Sequence, residues 1–180
     1  DAIVQGLKDG SSGTPAKIDE QQMQQALAAL DQRIAEQRAK AQVVELEAAL
    51  AGGNAYRAEN AKKAGVQTTA TGLQYRVVKA GTGRTPTASD TVTVNYRGTL
   101  VDGTEFDSSY KRGEPATFPV AGVIPGWTEA LQLMKEGEQV QLVIPPDLAY
   151  GERGAGGVIP PGATLVFDVE LISVGSEAAK

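Results

Sequence analysis

Whatever chemistry this chain performs must run on carboxylates, phenols, backbone groups or the shape of a pocket, because its 180 residues include neither His nor Cys. Those two zeros exclude thiolate nucleophiles, disulfides and Cys/His zinc sites. They also exclude every imidazole general base, and with it a Ser-His-Asp hydrolase. There is no Walker A loop, no G-x-S-x-G elbow and no H-E-x-x-H helix. The glycine-rich GERGAGG stretch that begins at Gly151 lacks the Lys-Ser/Thr pair and the following helix of a phosphate cradle. No pair of carboxylates stands in a context that suggests glycoside chemistry. Trp127 is the informative residue. It is the only tryptophan, and it follows a Pro125-Gly126 break at the entrance of a short amphipathic stretch, GVIPGWTEAL. A core tryptophan can sit anywhere along a helix; one at a helix mouth points to the floor of a pocket.

The elements that must position such a pocket are readable from composition and period. A content of 41% hydrophobic and 22% charged residues is that of a globular chain, long enough for one core with an appendage or two small domains. Net charge is −5 with no basic run, so nucleic acid is not an expected partner. No apolar run approaches the roughly 20 residues that span a bilayer. The chain starts at Asp1 without Met, so the expectation is a processed or cut product whose targeting signal has gone with the missing start.

Residues 1–17 read as a truncated N-terminal segment: a helix remnant over Asp1 to Leu7, then a Gly-Ser-Pro linker. A helical arm is expected over 18–64. Asp19 and Gln22 have capping-box spacing, and Ile18 and Met23 that of a hydrophobic staple. Met23, Leu27, Leu30, Ile34, Val43, Leu46 and Leu50 then form a thin apolar seam among strong helix formers. Such a seam either lies on its own domain or meets a partner chain. Gly52-Gly53, each costing about 1 kcal/mol in a helix interior, mark a soft point before helix resumes to Lys63, with Gly65 as its C′ residue.

From residue 65 to 180 the period falls to two. Leu73, Tyr75 and Val77 alternate with polar neighbours, as do Val92, Val94 and Tyr96, then Val140, Leu142 and Ile144, then Leu165, Phe167, Val169 and Leu171. Asp102-Gly103 between two such runs predicts a hairpin. Only Trp127 to Met134 has helical spacing there. The expected fold class is α+β, an antiparallel sheet with one buried face wrapped on one short helix, ending in a short disordered tail. Pro145 to Gly162 fits neither strand nor helix, and a loop that long is usually functional. It carries Tyr150, Val158 and Ile159, apolar side chains that need something to face.

Four ordered stretches, TVTVNYRGTLVDGTEFDSS, GVIPGWTEALQLM, PPDLAYG and VIPPGATLVFDVEL, together resemble an FKBP-type peptidyl-prolyl cis-trans isomerase, over about Gly65 to Gly175. The preceding NAYRAENAKKAGV and TGLQY are similar to the bacterial Mip/FkpA subfamily, whose members carry an N-terminal dimerisation region and a long linker helix. The resemblance implies an apolar cavity between sheet, short helix and loops. In it Trp127 would be the floor and Tyr96, Phe106 and Phe167 the aromatic walls. Val123 and Ile124 would form a rim, with the Ile124 backbone N–H donating to a ligand carbonyl, and Phe118 would join the binding surface. Asp107 would be the one carboxylate of the pocket, beside Arg112; Tyr150 would supply a hydroxyl, and Val158 and Ile159 an apolar lip. Ala116 stands where many family members have an aromatic residue.

By the same resemblance the activity is cis-trans isomerisation of X–Pro bonds without cofactor or metal, with chaperone activity beside it. The partners are unfolded or proline-containing clients, tacrolimus- and rapamycin-type macrolides as inhibitors, and a second copy of the chain as a homodimer. The location is the periplasm or cell envelope, with the cytoplasm as the alternative. Two rivals stay open: a holdase with incidental isomerase activity, and a module that binds proline loops without turnover. Each residue also has a plainer use. The aromatics suit ordinary strand packing, Asp107 suits a turn before Ser108-Ser109, and Tyr150 and Arg112 suit a solvated loop.

Overall fold

The computed structural model of the chain describes residues 20–176. The expected helix remnant, linker, Asp19 cap, Ile18–Met23 staple and C-terminal tail lie outside the described residues. Two compact units meet at Val43/Val44, within one helix, α1 (Glu20–Asn60). In the first unit the seam residues Met23, Leu27, Leu30, Ile34 and Val43 are exposed.

The second unit begins with the last turns of α1. Here Leu46, Leu50, Gly53, Tyr56, Arg57 and Asn60 share a face that is half-buried or buried, at the three- and four-residue steps of a helix. The expected soft point at Gly52-Gly53 is corrected: α1 runs through both glycines. Gly53 is buried because it is packed against Thr164, whose side chain a Cβ at this position would strike. The helix also ends earlier than Lys63. Lys62 and Lys63 donate their N–H groups to the carbonyls of Glu59 and Asn60 at 3.2 and 3.0 Å, a tightened exit turn.

The sheet is antiparallel throughout. Its strands are β1 (Val66–Thr68), β2 (Gln74–Lys79), β3 (Asp90–Leu100), β4 (Glu105–Ser108), β5 (Ala116–Pro119), β6 (Gln139–Ile144) and β7 (Leu165–Ser176). The order is β1-β2-β6-β7-β3-β4, with β5 pairing along the remaining length of β3's free edge. β3 and β4 are joined through the predicted Asp-Gly turn, where Gly103 takes φ 88° and Asp102 Oδ1 accepts the Thr104 N–H at 2.8 Å. Period two in β3 places Val92, Val94 and Tyr96 in the core; in β7 it places Leu165, Phe167, Val169 and Leu171 there. α3 (Pro125–Leu131) covers this face with Trp127, Ala130 and Leu131.

Two further expectations need correction. The sheet is not buried on one face alone. Gln74, Val143 and Val166 are in register across β2, β6 and β7, point away from the core, and are buried too. The α1 face meets this side at Gln74: Asn60 Nδ2 donates to Gln74 Oε1, and Gln74 Nε2 to the Arg57 carbonyl, both at 2.9 Å. Nor is α3 the only helix beside the sheet. It starts at Pro125, where a proline suits the first turn, and its exit tightens after Leu131. A one-turn helix, α2 (Ser109–Arg112), is too short to show a period. The 145–162 loop holds two short 3-10 turns and a bridge between Ala155 and Ile159.

Candidate functional site

Beside α3 lies an open cavity of about 510 Å³. Trp127 is at its centre. Its ring meets Tyr96 and Phe167 edge-on at 5.3 Å each, and Phe118 at 6.0 Å. Phe106 in turn meets Phe167 edge-on at 5.5 Å. Each such pair contributes about 0.5–1.5 kcal/mol beyond area burial and fixes ring orientation. β3, β4, β5, β7 and α3 thus each supply one ring to a single apolar wall. Gly122, Val123, Ile124 and Tyr150 also line the cavity. Thr128 Oγ1 donates to the Val120 carbonyl at 2.8 Å, tying the first turn of α3 to the segment that leads into Val123 and Ile124. Among the described residues no backbone carbonyl accepts from the Ile124 N–H, so this donor remains free beside the cavity.

The polar corner is a closed triangle. Tyr96 donates its hydroxyl hydrogen to Asp107 Oδ2 at 2.5 Å; Arg112 donates to Asp107 Oδ1 at 2.5 Å and to the Tyr96 oxygen at 2.7 Å. The Arg112 guanidinium also lies 5.3 Å from the centre of the Tyr96 ring. Burial pushes the Asp107 carboxyl upward, but the Tyr96 and Arg112 hydrogen bonds outweigh it and hold it below the usual carboxylate range. Burial, then the bond to the Asp107 carboxylate, pushes the Tyr96 phenol up. The corner is therefore a fixed carboxylate, phenol and guanidinium over a wide pH range, and no group in it is poised to exchange protons near neutrality.

The structure thus brings ten side chains or backbone segments to one cavity, and nine of the expected residues are among them: Tyr96, Phe106, Asp107, Phe118, Val123, Ile124, Trp127, Tyr150 and Phe167. Arg112 is not on the wall; it reaches the site through Asp107 and Tyr96. Val158 and Ile159 are not on it either. Val158 is exposed, and Ile159 is buried in the core.

Two positions with no role in the sequence reading shape the site. Gly98 lies two residues before the end of β3, and a Cβ there would stand 2.7 Å from both Phe106 and Phe167; only a glycine lets both rings lie against the strand. A glycine inside a strand is a readable sign of close approach. Ser109 is wholly buried. Its Oγ accepts the Tyr96 N–H at 2.9 Å, which fastens α2 to β3 and so brings Arg112, one turn later, over Tyr96. Among the described residues no group of acidic side chains is placed to hold a metal ion. The wall can enclose an apolar ring, and the Ile124 N–H and Tyr150 hydroxyl can hold an amide. Among the described residues that line the cavity, the one hydroxyl bonded to a carboxylate is that of Tyr96, which Arg112 also holds.

Known proteins match the chain over nearly its whole length. Residues 82–172 match the family model for FKBP-type peptidyl-prolyl cis-trans isomerases, and residues 1–77 match the model of the domain amino-terminal to it. The chain is 51% identical to the FKBP-type peptidyl-prolyl cis-trans isomerase FkpA of Escherichia coli K12, over 97% of this chain and 64% of that protein. It is 46% identical to the outer membrane protein MIP of Legionella longbeachae, over 99% of this chain and 76% of that one. The crystal structure of FkpA from Escherichia coli superposes with a TM-score of 0.87 at 47% identity, covering 97% of this chain and 81% of that one. The chain spans just under two thirds of the FkpA sequence it matches.

Proposed function

This chain belongs to the FKBP-type peptidyl-prolyl cis-trans isomerase family, and we propose that it accelerates cis-trans exchange of X–Pro bonds in other proteins. The observation that carries the reading is the aromatic cavity around Trp127, with Ile124 and Tyr150 among the residues that line it. Rotation about a peptide bond faces about 18–20 kcal/mol because resonance gives the C–N bond double-bond character. For X–Pro the unaided exchange takes tens to hundreds of seconds.

The planar amide is charge-separated and well solvated, whereas the twisted amide has less resonance and less separated charge. Enclosing the proline ring against Trp127 and the surrounding rings strips water from the bond and disfavours the planar form relative to the twisted one. The Ile124 N–H and the Tyr150 hydroxyl hold the neighbouring carbonyls in the twisted pose, so their contribution is larger in the transition state than in the ground state. An acceleration of about 10⁴ needs about 5.5 kcal/mol at roughly 1.36 kcal/mol per factor of ten. Desolvation and a few such contacts reach that value.

The test is refolding of a proline-limited protein and exchange of a proline tetrapeptide, each with and without tacrolimus. Faster exchange that tacrolimus abolishes supports the reading. Tight binding of proline peptides with unchanged exchange identifies a binding module instead.

A second reading concerns the arm. The exposed seam Met23, Leu27, Leu30 and Ile34 supports a homodimer through the N-terminal helical region and a chaperone grip on unfolded clients. Light scattering at several concentrations tests the first, and suppression of aggregation of a proline-free client tests the second. Likeness to FkpA and to an outer membrane protein supports an envelope location, which fractionation of cells producing the full-length protein checks.

A further inference from the structure

Tyr150 is 41% exposed, so packing around its own ring does not fix it, and its place over the cavity must be set by the backbone of the 145–162 loop. That loop is braced by α1 at its closing end. Gly162 takes φ 69°, and a Cβ there would stand 2.6 Å from Leu46 Cδ1 and 3.1 Å from Leu50 Cγ. Two residues later Thr164 meets Gly53. The closing end is also joined to the middle of the loop, where the Gly162 N–H donates to the Gly151 carbonyl at 2.9 Å. Gly151 is bonded directly to Tyr150. The path from Leu46 and Leu50 to the catalytic hydroxyl is therefore one van der Waals contact, one backbone hydrogen bond and one peptide bond.

We infer that Leu46 and Leu50 are positioning residues for Tyr150: the docked turns of α1 hold the closing end of the loop and so set where its hydroxyl stands. The inference rests on the isomerase reading of the same cavity. It gives the half-buried face of the arm a function in turnover beyond joining the domain to what precedes it. It also explains why the thin seam continues past Val43 into leucines that lie outside the main hydrophobic core.

The experiment replaces Leu46→Ala and Leu50→Ala together in the full chain. Alanine is the best helix former, so α1 persists, and the core of the sheet is untouched. Hydrogen exchange should quicken at the Gly162 amide while β6 and β7 stay protected. In proline-peptide exchange, kcat should fall about tenfold with KM within about twofold, since a misplaced group costs turnover more than binding. In a Tyr150→Phe background the same pair should cost less than about twofold, because the group it positions is already gone. Leu50→Met should retain most activity. An unchanged Gly162 exchange rate overturns the inference, as does an unchanged kcat or an equal loss with and without the Tyr150 hydroxyl. A wild-type chain without turnover overturns the isomerase reading itself, whereas an active wild type beside an unaffected double variant overturns only the role of the leucines.

Discussion

Tyr96 and Asp107 are joined by a 2.5 Å hydrogen bond across the β3–β4 hairpin, and Arg112 closes the pair from α2. Neither residue has the other as its chain neighbour; the Asp-Gly turn and the Ser109 anchor bring them together. The bond orients the Tyr96 ring, which stands edge-on to Trp127. Asp107→Ala leaves a phenol that is 5% exposed and a guanidinium without their shared acceptor. Hydrogen bonds to charged groups contribute about 1.5–3 kcal/mol. The expected loss in kcat/KM is therefore about ten- to a hundredfold, with the sheet still folded by circular dichroism. Full activity in this variant would remove the polar corner from the mechanism.

Activity should be flat between about pH 6 and 8, because no imidazole titrates there and the site's two shifted acids move away from neutrality. The sign follows from each. Asp107 is held below its ordinary value, so its contribution to stability is present above the unfolded carboxylate value of about 3.9 and is lost as pH falls through the folded one. Tyr96 is raised, so its contribution is complete below the ordinary phenol value of about 10 and is lost above it. The rate profile measured in a constant-ionic-strength buffer series should show a broad plateau with its acid limb below about pH 4. A limb centred near pH 6 would mean that a carboxylate outside this triangle controls the reaction.

Trp127 is the only tryptophan and is 4% exposed while bordering the cavity, so its emission is a direct reporter of occupancy. Proline peptides and tacrolimus should each change its intensity or wavelength in a saturable way. Trp127→Leu should remove the three edge-on ring contacts and lower stability by about 2–4 kcal/mol, read as a shift in the denaturant midpoint. Ligand binding that leaves the emission unchanged would place the site elsewhere.

What could be read from the sequence was what is local or periodic. The Asp102-Gly103 turn, the alternation in β3 and β7 and the position of Trp127 after a Pro-Gly break each depend on neighbours within a few residues. The hidden features depend on distant partners. Gln74 has the pattern of a solvent-facing strand residue, yet it is buried, because the helix 14 residues earlier returns to hydrogen-bond it through Asn60. Ile159 has the look of a pocket lip and is core instead, in a loop too irregular for any period to show which way it faces. The four residues of α2 are too few for any period, although Arg112 depends on them. The roles proposed for the cavity residues rest on ordered motifs taken together; no one of them carries those roles alone.

The adjacent glycines of α1 separate the two meanings a helical glycine can have, and they should respond to the same substitution with opposite signs. A Cβ on Gly52 meets nothing within 4 Å, so Gly52→Ala gains helix propensity and should stabilise the chain by up to about 1 kcal/mol. Gly53→Ala gains the same propensity, but its Cβ is driven into Thr164, which is 2% exposed and β-branched and so has no free rotamer to retreat to. Overpacking of this kind costs about 1–3 kcal/mol, more than the propensity returns, so the net effect should be destabilising. Chemical unfolding of the two variants beside the wild type decides it. Thr164→Ser in the Gly53→Ala background removes the γ-methyl group and allows the hydroxyl to rotate away from the new Cβ, and should recover part of the loss. Two stabilised variants would show that α1 lifts from the sheet at little cost and that its register over Thr164 is not specified by Gly53.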